Sequence, residues 1–166
     1  KSVLKGVSYF AGTDTKRDLV YPGYQKMLCE NGFSQAYAVY TKGSKPYTCD
    51  GNVMNYDFIG QAQVGGGKRI YALMEKIHGI IKANGSEGPI YLHCWYGVHA
   101  SNTISQMVLK QFCNIDNDTA LANWDAVDIY DAAGVDERKD ELHKVSSFVP
   151  YPEFSITAAE KATVCY

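Results

Sequence analysis

The most regular hydrophobic pattern in the chain runs from Lys68 to Ala83. Apolar side chains recur there every three to four residues, which predicts an amphipathic helix, and Asn84-Gly85 marks its end. Pro22 to Asn31 predicts a shorter helix, because proline suits the first helical position and Gly32 follows the segment directly. Both predicted helices are thus bounded by residues that ordinarily begin or end one.

Three segments predict β-strands. Phe33 to Thr41 carries alternating aromatic and aliphatic residues, and Asn55 to Val64 shows a weaker pattern of the same kind before three glycines. Pro89 to Leu92 is short and apolar, which is typical of a strand buried on both faces. This last strand leads directly into the sequence His-Cys-Trp-Tyr-Gly-Val-His-Ala-Ser at positions 93–101.

Helical spacing resumes after the loop at positions 93–99. Apolar residues between Ala100 and Asn114 recur at helical intervals, so the loop joins a buried strand to the start of a helix. Later helices are predicted at Asp118 to Tyr130, Val135 to Val145 and Thr157 to Val164, with an irregular segment around Pro150 and Pro152.

The order of these elements predicts the fold class. Strands and helices alternate through the first two thirds of the chain and helices follow, which indicates an α/β fold with a mostly parallel central sheet and helices on both faces. The chain has 166 residues, which fits a single domain spanning residues 1–166.

Charge and hydropathy exclude several classes of protein. Sixteen Lys and Arg residues against eighteen Asp and Glu give a net charge of −2, which argues against a general binder of nucleic-acid backbones. No segment approaches the roughly 18 consecutive apolar residues of a membrane span. We therefore expect a soluble protein with no nucleic-acid or membrane partner, in which any anion site is local.

The five cysteines are too few for a disulfide scaffold. With Cys94 set aside for its place in the loop, the other four allow two disulfides in three pairings, or they are ordinary buried thiols. We predict Cys29 with Cys49, which would tie the early helix to the loop after the next strand. We also predict Cys113 with Cys165, which would fasten the tail to the helix after the 93–99 loop.

These disulfides bear on location. Together with thirteen tyrosines and a first residue other than Met, they predict a periplasmic or secreted protein. Without them, a cytoplasmic location is expected.

Residues 93–101 hold the candidate chemistry. A loop at the carboxyl end of a buried parallel strand is where open α/β folds place ligands. The helix that follows offers unpaired N–H groups and a partial positive charge, which suit phosphate or another oxyanion. The same groups favour the thiolate form of Cys94, and Gly97 lets the backbone turn tightly.

This segment resembles the phosphate loop of the cysteine-dependent phosphatases, the superfamily of protein tyrosine phosphatases, dual-specificity phosphatases and phytases of the tyrosine-phosphatase type. Their loop reads His-Cys, five residues, Arg, then Ser or Thr. The resemblance implies a tyrosine-phosphatase-like fold in which Cys94 is the nucleophile that forms a phosphocysteine. It further implies that His93 orients the loop and tunes the thiolate, and that the Ser101 hydroxyl helps Cys94 leave. The residues implied to bind substrate are Trp95, Tyr96, Gly97, Val98, His99 and Ala100.

Two catalytic positions depart from the family pattern. Ala100 stands where the family has an arginine that clamps two phosphate oxygens, and losing such a clamp could remove roughly 3 to 7 kcal/mol of transition-state stabilisation. The family's general acid is an Asp on a loop well before the cysteine, but residues 61–67 hold no carboxylate. Asp57 and Asp50 are the nearest candidates, and Asp57 is our prediction. His99, beside the vacant arginine position, is a partial substitute for the missing cation.

Three functions are consistent with these residues. The first is hydrolysis of phosphomonoesters through Cys94, acting on small phosphate esters such as inositol phosphates or on phosphotyrosine. The second is a pseudophosphatase that binds phosphorylated ligands without turnover, and the third is rhodanese-like sulfur transfer. If Ala100 replaces a native arginine, the native protein is an ordinary phosphatase.

The ligand and partners follow from the same residues. His93, Cys94 and His99 are too few and too closely spaced for a closed zinc site. We expect no metal and no cofactor, a phosphorylated small molecule or a phosphoprotein as partner, and a monomer.

Overall fold

A six-stranded mixed β-sheet forms the middle of the protein in the computed structural model, which describes residues 1–12, 22–39, 46–60, 63–94, 97–127 and 135–166. Its strands are β1 (Ser2–Leu4), β2 (Ser8–Gly12), β3 (Gln35–Val39), β4 (Tyr47–Cys49), β5 (Asn52–Ile59) and β6 (Ile90–Cys94). Their spatial order is β1-β2-β6-β3-β5-β4. The inner strands β2, β6, β3 and β5 are parallel to one another, whereas β1 and β4 join the edges antiparallel.

Six α-helices accompany the sheet in the described parts of the chain. They are α1 (Pro22–Glu30), α2 (Lys68–Lys82), α3 (Ala100–Cys113), α4 (Asn117–Asp125), α5 (Val135–Ser147) and α6 (Ala158–Val164), with a 3₁₀ turn at Pro152–Phe154. The predicted α/β class is confirmed. The first three helices end within one residue of the positions that the sequence predicts.

Apolar side chains cover the sheet on both faces. On one face, Ile90, Leu92 and Cys94 of β6 join a large buried cluster with α2 and α3. On the other face, Leu28 of α1 packs with residues of β3 and β5 in a second cluster. Because β6 alternates between these clusters, consecutive residues at its end point to opposite faces.

The strand predicted at Asn55 to Val64 is shifted toward the N-terminus. The observed β5 begins at Asn52 because it forms a hairpin with β4, and the two turn residues are Asp50 and Gly51, both with positive φ. Val64 is buried but lies in the loop after β5. The Asp-Gly pair is a sequence signal for this hairpin that the predicted strand boundaries leave unused.

Other boundaries differ more modestly. The strand predicted at Phe33 to Thr41 is observed at Gln35–Val39, and residues 40–41 lie outside the described ranges. The helix predicted at Asp118 to Tyr130 ends at Asp125 with a turn after it, and residues 128–130 are also outside those ranges.

Two disulfides have the predicted pairing. Cys29 pairs with Cys49 and joins α1 to β4, with a Cα–Cα distance of 6.1 Å. Cys113 pairs with Cys165 and fastens the end of the chain to the end of α3, with a Cα–Cα distance of 5.8 Å. Cys94 is left as a free, buried thiol. The alternative of ordinary buried thiols at the four other positions is wrong.

Within the described ranges, no helix is both long enough and apolar enough to cross a bilayer.

Candidate active site

Cys94 is the last residue of the central strand β6. On one side of β6, Gly12 of β2 is the register partner of Cys94, and β3 borders β6 on the other side. The thiol therefore lies at the edge of the sheet where parallel strands end together. Only 6% of Cys94 is exposed. The strand therefore delivers a nearly buried nucleophile to the carboxyl edge of the sheet.

The start of α3 lies directly beyond this thiol. Gly97 has a φ of +72°, which allows the chain to turn back toward the helix, and α3 begins at Ala100. His99 is the N-cap residue, but its side chain makes no capping hydrogen bond. The N-cap side chain thus leaves the first-turn N–H groups of α3 uncapped, as an anion-binding helix terminus requires.

The loop brings Cys94 and Ser101 together. Sγ of Cys94 lies 3.2 Å from Oγ of Ser101, although the two residues are seven positions apart. Ser101 is fully buried, and its carbonyl oxygen accepts a hydrogen bond from the Ser105 hydroxyl at 2.6 Å. A nucleophile and a hydroxyl able to donate to it therefore meet at the N-terminus of one helix.

His93 lies on the other face of β6 from Cys94. Its Nε2 is 2.7 Å from the hydroxyl of Tyr56, and its ring stacks against Tyr56 and Tyr91. Burial lowers the pKa of His93 to about 4, so the imidazole is neutral near physiological pH. The side chain can fix the end of the strand, but it brings no positive charge to the neighbouring Cys94.

Ala100 stands where the phosphatase loop that this segment resembles has an arginine, and its side chain is packed in the core. Ala100 is fully buried and belongs to the large cluster with Ile104 and Met107 of the same helix. The neighbouring Val98 and His99 are each 8% exposed. Within the described part of the loop, side chains thus pack inward. The predicted binding residues Trp95 and Tyr96 lie outside the described ranges.

Asp57 lies on β5, two strands from Cys94, and forms an ion pair with Arg69. Its carboxylate accepts from Arg69 at 2.7 Å and from the Phe58 N–H at 2.8 Å. In register it is level with Leu92 across β3, two strands from β6, which puts its Cα roughly 12 Å from that of Cys94. Burial and the nearby Asp57 carboxylate raise the pKa of Tyr37 to about 12. Asp57 is better placed for its ion pair with Arg69 than for donating a proton at Cys94.

The loop after β5 contains residues 61–67, where the resemblance to the phosphatases would place the general acid. Gln63 closes it on itself, because its side-chain Oε1 accepts from the Gly60 N–H at 3.2 Å. Val64 is buried in the core, and a Cβ on Gly65 would lie 3.2 Å from Cγ of Lys144. The described part of this loop is anchored at two points and presents no carboxylate.

Two residues at the site were not predicted from the sequence. Tyr56 contacts His93, and Trp124 packs on the first turn of α3. The alternation of β5 places Tyr56 on one face with Met54, which the sequence could have indicated. Trp124 carries no comparable signal, because its neighbours in the sequence do not identify its partners.

Across the described ranges, which include His93, Cys94 and His99, no group of three or more His, Cys, Asp or Glu side chains is arranged to hold a metal ion.

Comparison with known proteins adds no relative. No protein-family model matches the chain, and no curated protein matches it. The resemblance to the phosphatase loop therefore depends on the residues and the geometry of this chain alone.

Proposed function

We propose that the protein is a cysteine-phosphatase-like domain that binds the phosphoryl group of a phosphomonoester at the first turn of α3, with Cys94 as nucleophile. The observation that carries the proposal is the 3.2 Å contact between Cys94 Sγ and Ser101 Oγ at the junction of β6 and α3. In the phosphatase loop that residues 93–101 resemble, these two positions hold the nucleophile and the hydroxyl that helps its sulfur leave. The ligand is a phosphorylated small molecule or a phosphoprotein.

The topology supports the same family of folds. The strands β2, β6, β3 and β5 run parallel in the middle of the sheet, and the loop leaves the central strand β6 to enter α3. This arrangement favours a mostly parallel, tyrosine-phosphatase-like architecture. The two antiparallel edge strands are additions to that parallel centre.

The proposed reaction begins with attack of the Cys94 thiolate on phosphorus. A P–S bond forms as the P–O bond of the ester breaks, and the departing oxygen takes a proton from water, since the described part of the site presents no carboxylate for this step. Uncapped N–H groups of α3 and the helix dipole stabilise charge on the phosphoryl oxygens. Water then attacks phosphorus, and the Ser101 hydroxyl donates a hydrogen bond to the departing sulfur of Cys94.

This scheme implies slow turnover and a bias in substrates. Ala100 supplies no guanidinium to clamp the phosphoryl group. Asp57 is held by Arg69, so protonation of the leaving group is not assisted from there. Esters with acidic leaving groups, such as aryl phosphates, need no such assistance and should react first.

A second candidate function is binding without hydrolysis. The observation that favours it is the complete burial of Ala100 in the core cluster, which leaves the clamp position closed. Such a pseudophosphatase would retain the anion-binding turn of α3 and a reactive Cys94. It differs from the slow enzyme only in the fate of the bound ester.

The disulfides support a location. Bridges such as Cys29–Cys49 and Cys113–Cys165 persist in oxidising compartments and are rare in reducing ones. We propose that the protein works in the periplasm or outside the cell.

The anion site is tested by alkylation of Cys94. Iodoacetamide at pH 6.5 should modify Cys94 in the native protein, and inorganic phosphate or vanadate at millimolar concentration should slow that reaction, because an anion at the first turn of α3 covers the thiol. Neither anion should slow alkylation of the urea-unfolded protein. A native alkylation rate that is insensitive to both anions would contradict the proposal.

Hydrolysis is tested separately with p-nitrophenyl phosphate. A slow enzyme releases p-nitrophenol repeatedly, and Cys94→Ser abolishes the release. A pseudophosphatase shows anion protection of Cys94 but no release above that of the Cys94→Ser variant.

A further inference from the structure

Trp124 of α4 contacts the N-cap residue of α3 and two residues of its first turn. Its indole Nε1–H donates to Thr103 Oγ1 at 2.9 Å, and its carbonyl oxygen accepts from Asn102 Nδ2 at 3.0 Å. The indole also stacks on the His99 ring, with centroids 6.3 Å apart and planes at 22°. One side chain and its own carbonyl thus reach the N-cap and two residues of the first turn.

All partners in this contact are removed from solvent. Trp124, Asn102 and Thr103 are fully buried, and His99 is 8% exposed. A buried indole N–H that loses its acceptor is costly, so the geometry between Trp124 and Thr103 is strongly specified. The contact therefore fixes how the first turn of α3 is rotated, as well as how closely α4 approaches it.

On the side away from α3, Trp124 packs against other residues of α4 and α5. It belongs to a buried cluster with Ala120 of α4 and Val145 of α5, against which Leu142 and Ile115 pack. On the α3 side, Asn102 is held by Gln106, whose Nε2 donates to Asn102 Oδ1 at 2.9 Å. A rigid support on one side and a hydrogen-bonded turn on the other make Trp124 a fixed link between the two.

We propose that Trp124 is a positioning residue of the candidate site, which fixes the first turn of α3 and with it the anion-binding N–H groups and the Ser101 hydroxyl. Ser101 lies between His99 and Asn102, both of which Trp124 contacts. Rotation of this turn would move Ser101 Oγ relative to Cys94 Sγ. The inference rests on the proposed function, because it concerns the same anion site.

The test compares variants that remove one end of the indole hydrogen bond. Trp124→Phe keeps a ring but loses the N–H, and Thr103→Val keeps the shape but loses the acceptor. Each should raise the phosphate concentration that half-protects Cys94 from iodoacetamide by about three- to tenfold, the range expected for one hydrogen bond. The double variant should match the single ones, because both remove the same bond. Thr103→Ser keeps the hydroxyl acceptor, so phosphate should protect Cys94 in this variant as well as in the unaltered protein.

A matched control separates positioning from general stability. Leu28→Ala truncates a buried residue of the second cluster, on the face of the sheet away from Cys94 and far from Trp124. It should lower the free energy of unfolding while leaving phosphate protection and the pH profile of Cys94 alkylation unchanged. The Trp124→Phe and Thr103→Val variants should alter both.

The outcomes distinguish the two proposals. If phosphate fails to protect Cys94 in the unaltered protein, the proposed function fails and the inference fails with it. If phosphate protects the unaltered protein and protects Trp124→Phe and Thr103→Val equally well, only the positioning role is overturned. That role is also overturned if Leu28→Ala weakens protection as much as Trp124→Phe does.

Discussion

The hydroxyl of Tyr56 reaches His93 Nε2 at 2.7 Å across the intervening strand β3. Ala36 is the neighbour of Tyr56 and Ala38 is the neighbour of His93, and both alanines are fully buried on this face. Their small side chains leave room for the phenol to cross β3. His93 is therefore tied to the sheet on the face away from Cys94. His93 is neutral near physiological pH and brings no imidazolium charge to Cys94.

The buried His93 makes stability depend on pH. Burial lowers its pKa in the folded state to about 4 from 6.5, so the unfolded chain binds a proton more readily than the folded one. Above pH 6.5 His93 is neutral in both states and has no effect on the free energy of unfolding. As the pH falls from 6.5 toward 4, His93 takes up a proton in the unfolded chain first, and the free energy of unfolding falls. We expect the free energy of unfolding to drop by about 3 kcal/mol between pH 7 and pH 4 from this group alone.

Urea unfolding at half-unit pH steps measures the effect. His93→Asn removes the titrating group and should flatten the profile between pH 6.5 and pH 4.5, whatever its stability at pH 7. The carboxylates of Asp116 and Glu160 have lowered pKa values, and their contribution falls mainly below this window. Equal slopes for the two proteins would show that His93 is not the group responsible.

The hydroxyl of Tyr56 should contribute measurably to stability. Tyr56→Phe leaves His93 Nε2 buried without its partner, which costs about 1 to 3 kcal/mol in free energy of unfolding at pH 7. Tyr91→Phe is the matched control, because its ring also stacks on His93 and the hydrogen bond to Tyr56 is retained. Denaturant unfolding of both variants tests this. A cost that is no greater for Tyr56→Phe than for Tyr91→Phe would contradict the assignment.

Local sequence patterns predicted the elements that build the site. Helical periodicity and a terminal Asn-Gly located α2, and the junction of a short apolar strand with a helical pattern located the 93–99 loop between β6 and α3. These elements depend on short stretches of sequence. The disulfide pairing was predicted from the even number of remaining cysteines and from the elements that each bridge would tie together, although Cys113 and Cys165 are 52 residues apart.

Local sequence patterns could not predict the contacts that depend on the order of the strands and on helix packing. Nothing in the sequence places β3 between β5 and β6, so the meeting of Tyr56 with His93 could not be anticipated. The packing of Trp124 on the start of α3 depends equally on how α4 folds back. The short strands β1 and β2 lacked a pattern long enough to be distinguished from irregular chain.

The two disulfides should differ in their contributions to stability. Cys113–Cys165 closes 52 residues and Cys29–Cys49 closes 20, so the chain-entropy relation gives about 4 and about 3 kcal/mol respectively. The paired variants Cys113→Ser with Cys165→Ser and Cys29→Ser with Cys49→Ser should lose free energy of unfolding in that order.

Intact-mass analysis under denaturing conditions is the direct check of the bridges. With iodoacetamide and no reductant, the chain should take up one label, at Cys94, and with reductant it should take up five. Uptake of five labels without reductant would disprove both bridges and remove the support for an exported protein.

Restoring arginine at position 100 tests whether the loop is a phosphatase loop. In Ala100→Arg the guanidinium must leave the core that buries Ala100 in order to clamp two phosphoryl oxygens, and where it does so we expect hydrolysis of p-nitrophenyl phosphate to rise by roughly 10³-fold or more. This substrate is chosen because its leaving group needs no general acid. Ala100→Met is the control, since it adds a long side chain without the charge. Ala100 is fully buried, so both variants are first checked for cooperative unfolding. A folded Ala100→Arg protein that is no faster than Ala100→Met would mean that residues 94–101 do not cradle a phosphoryl group as the family loop does.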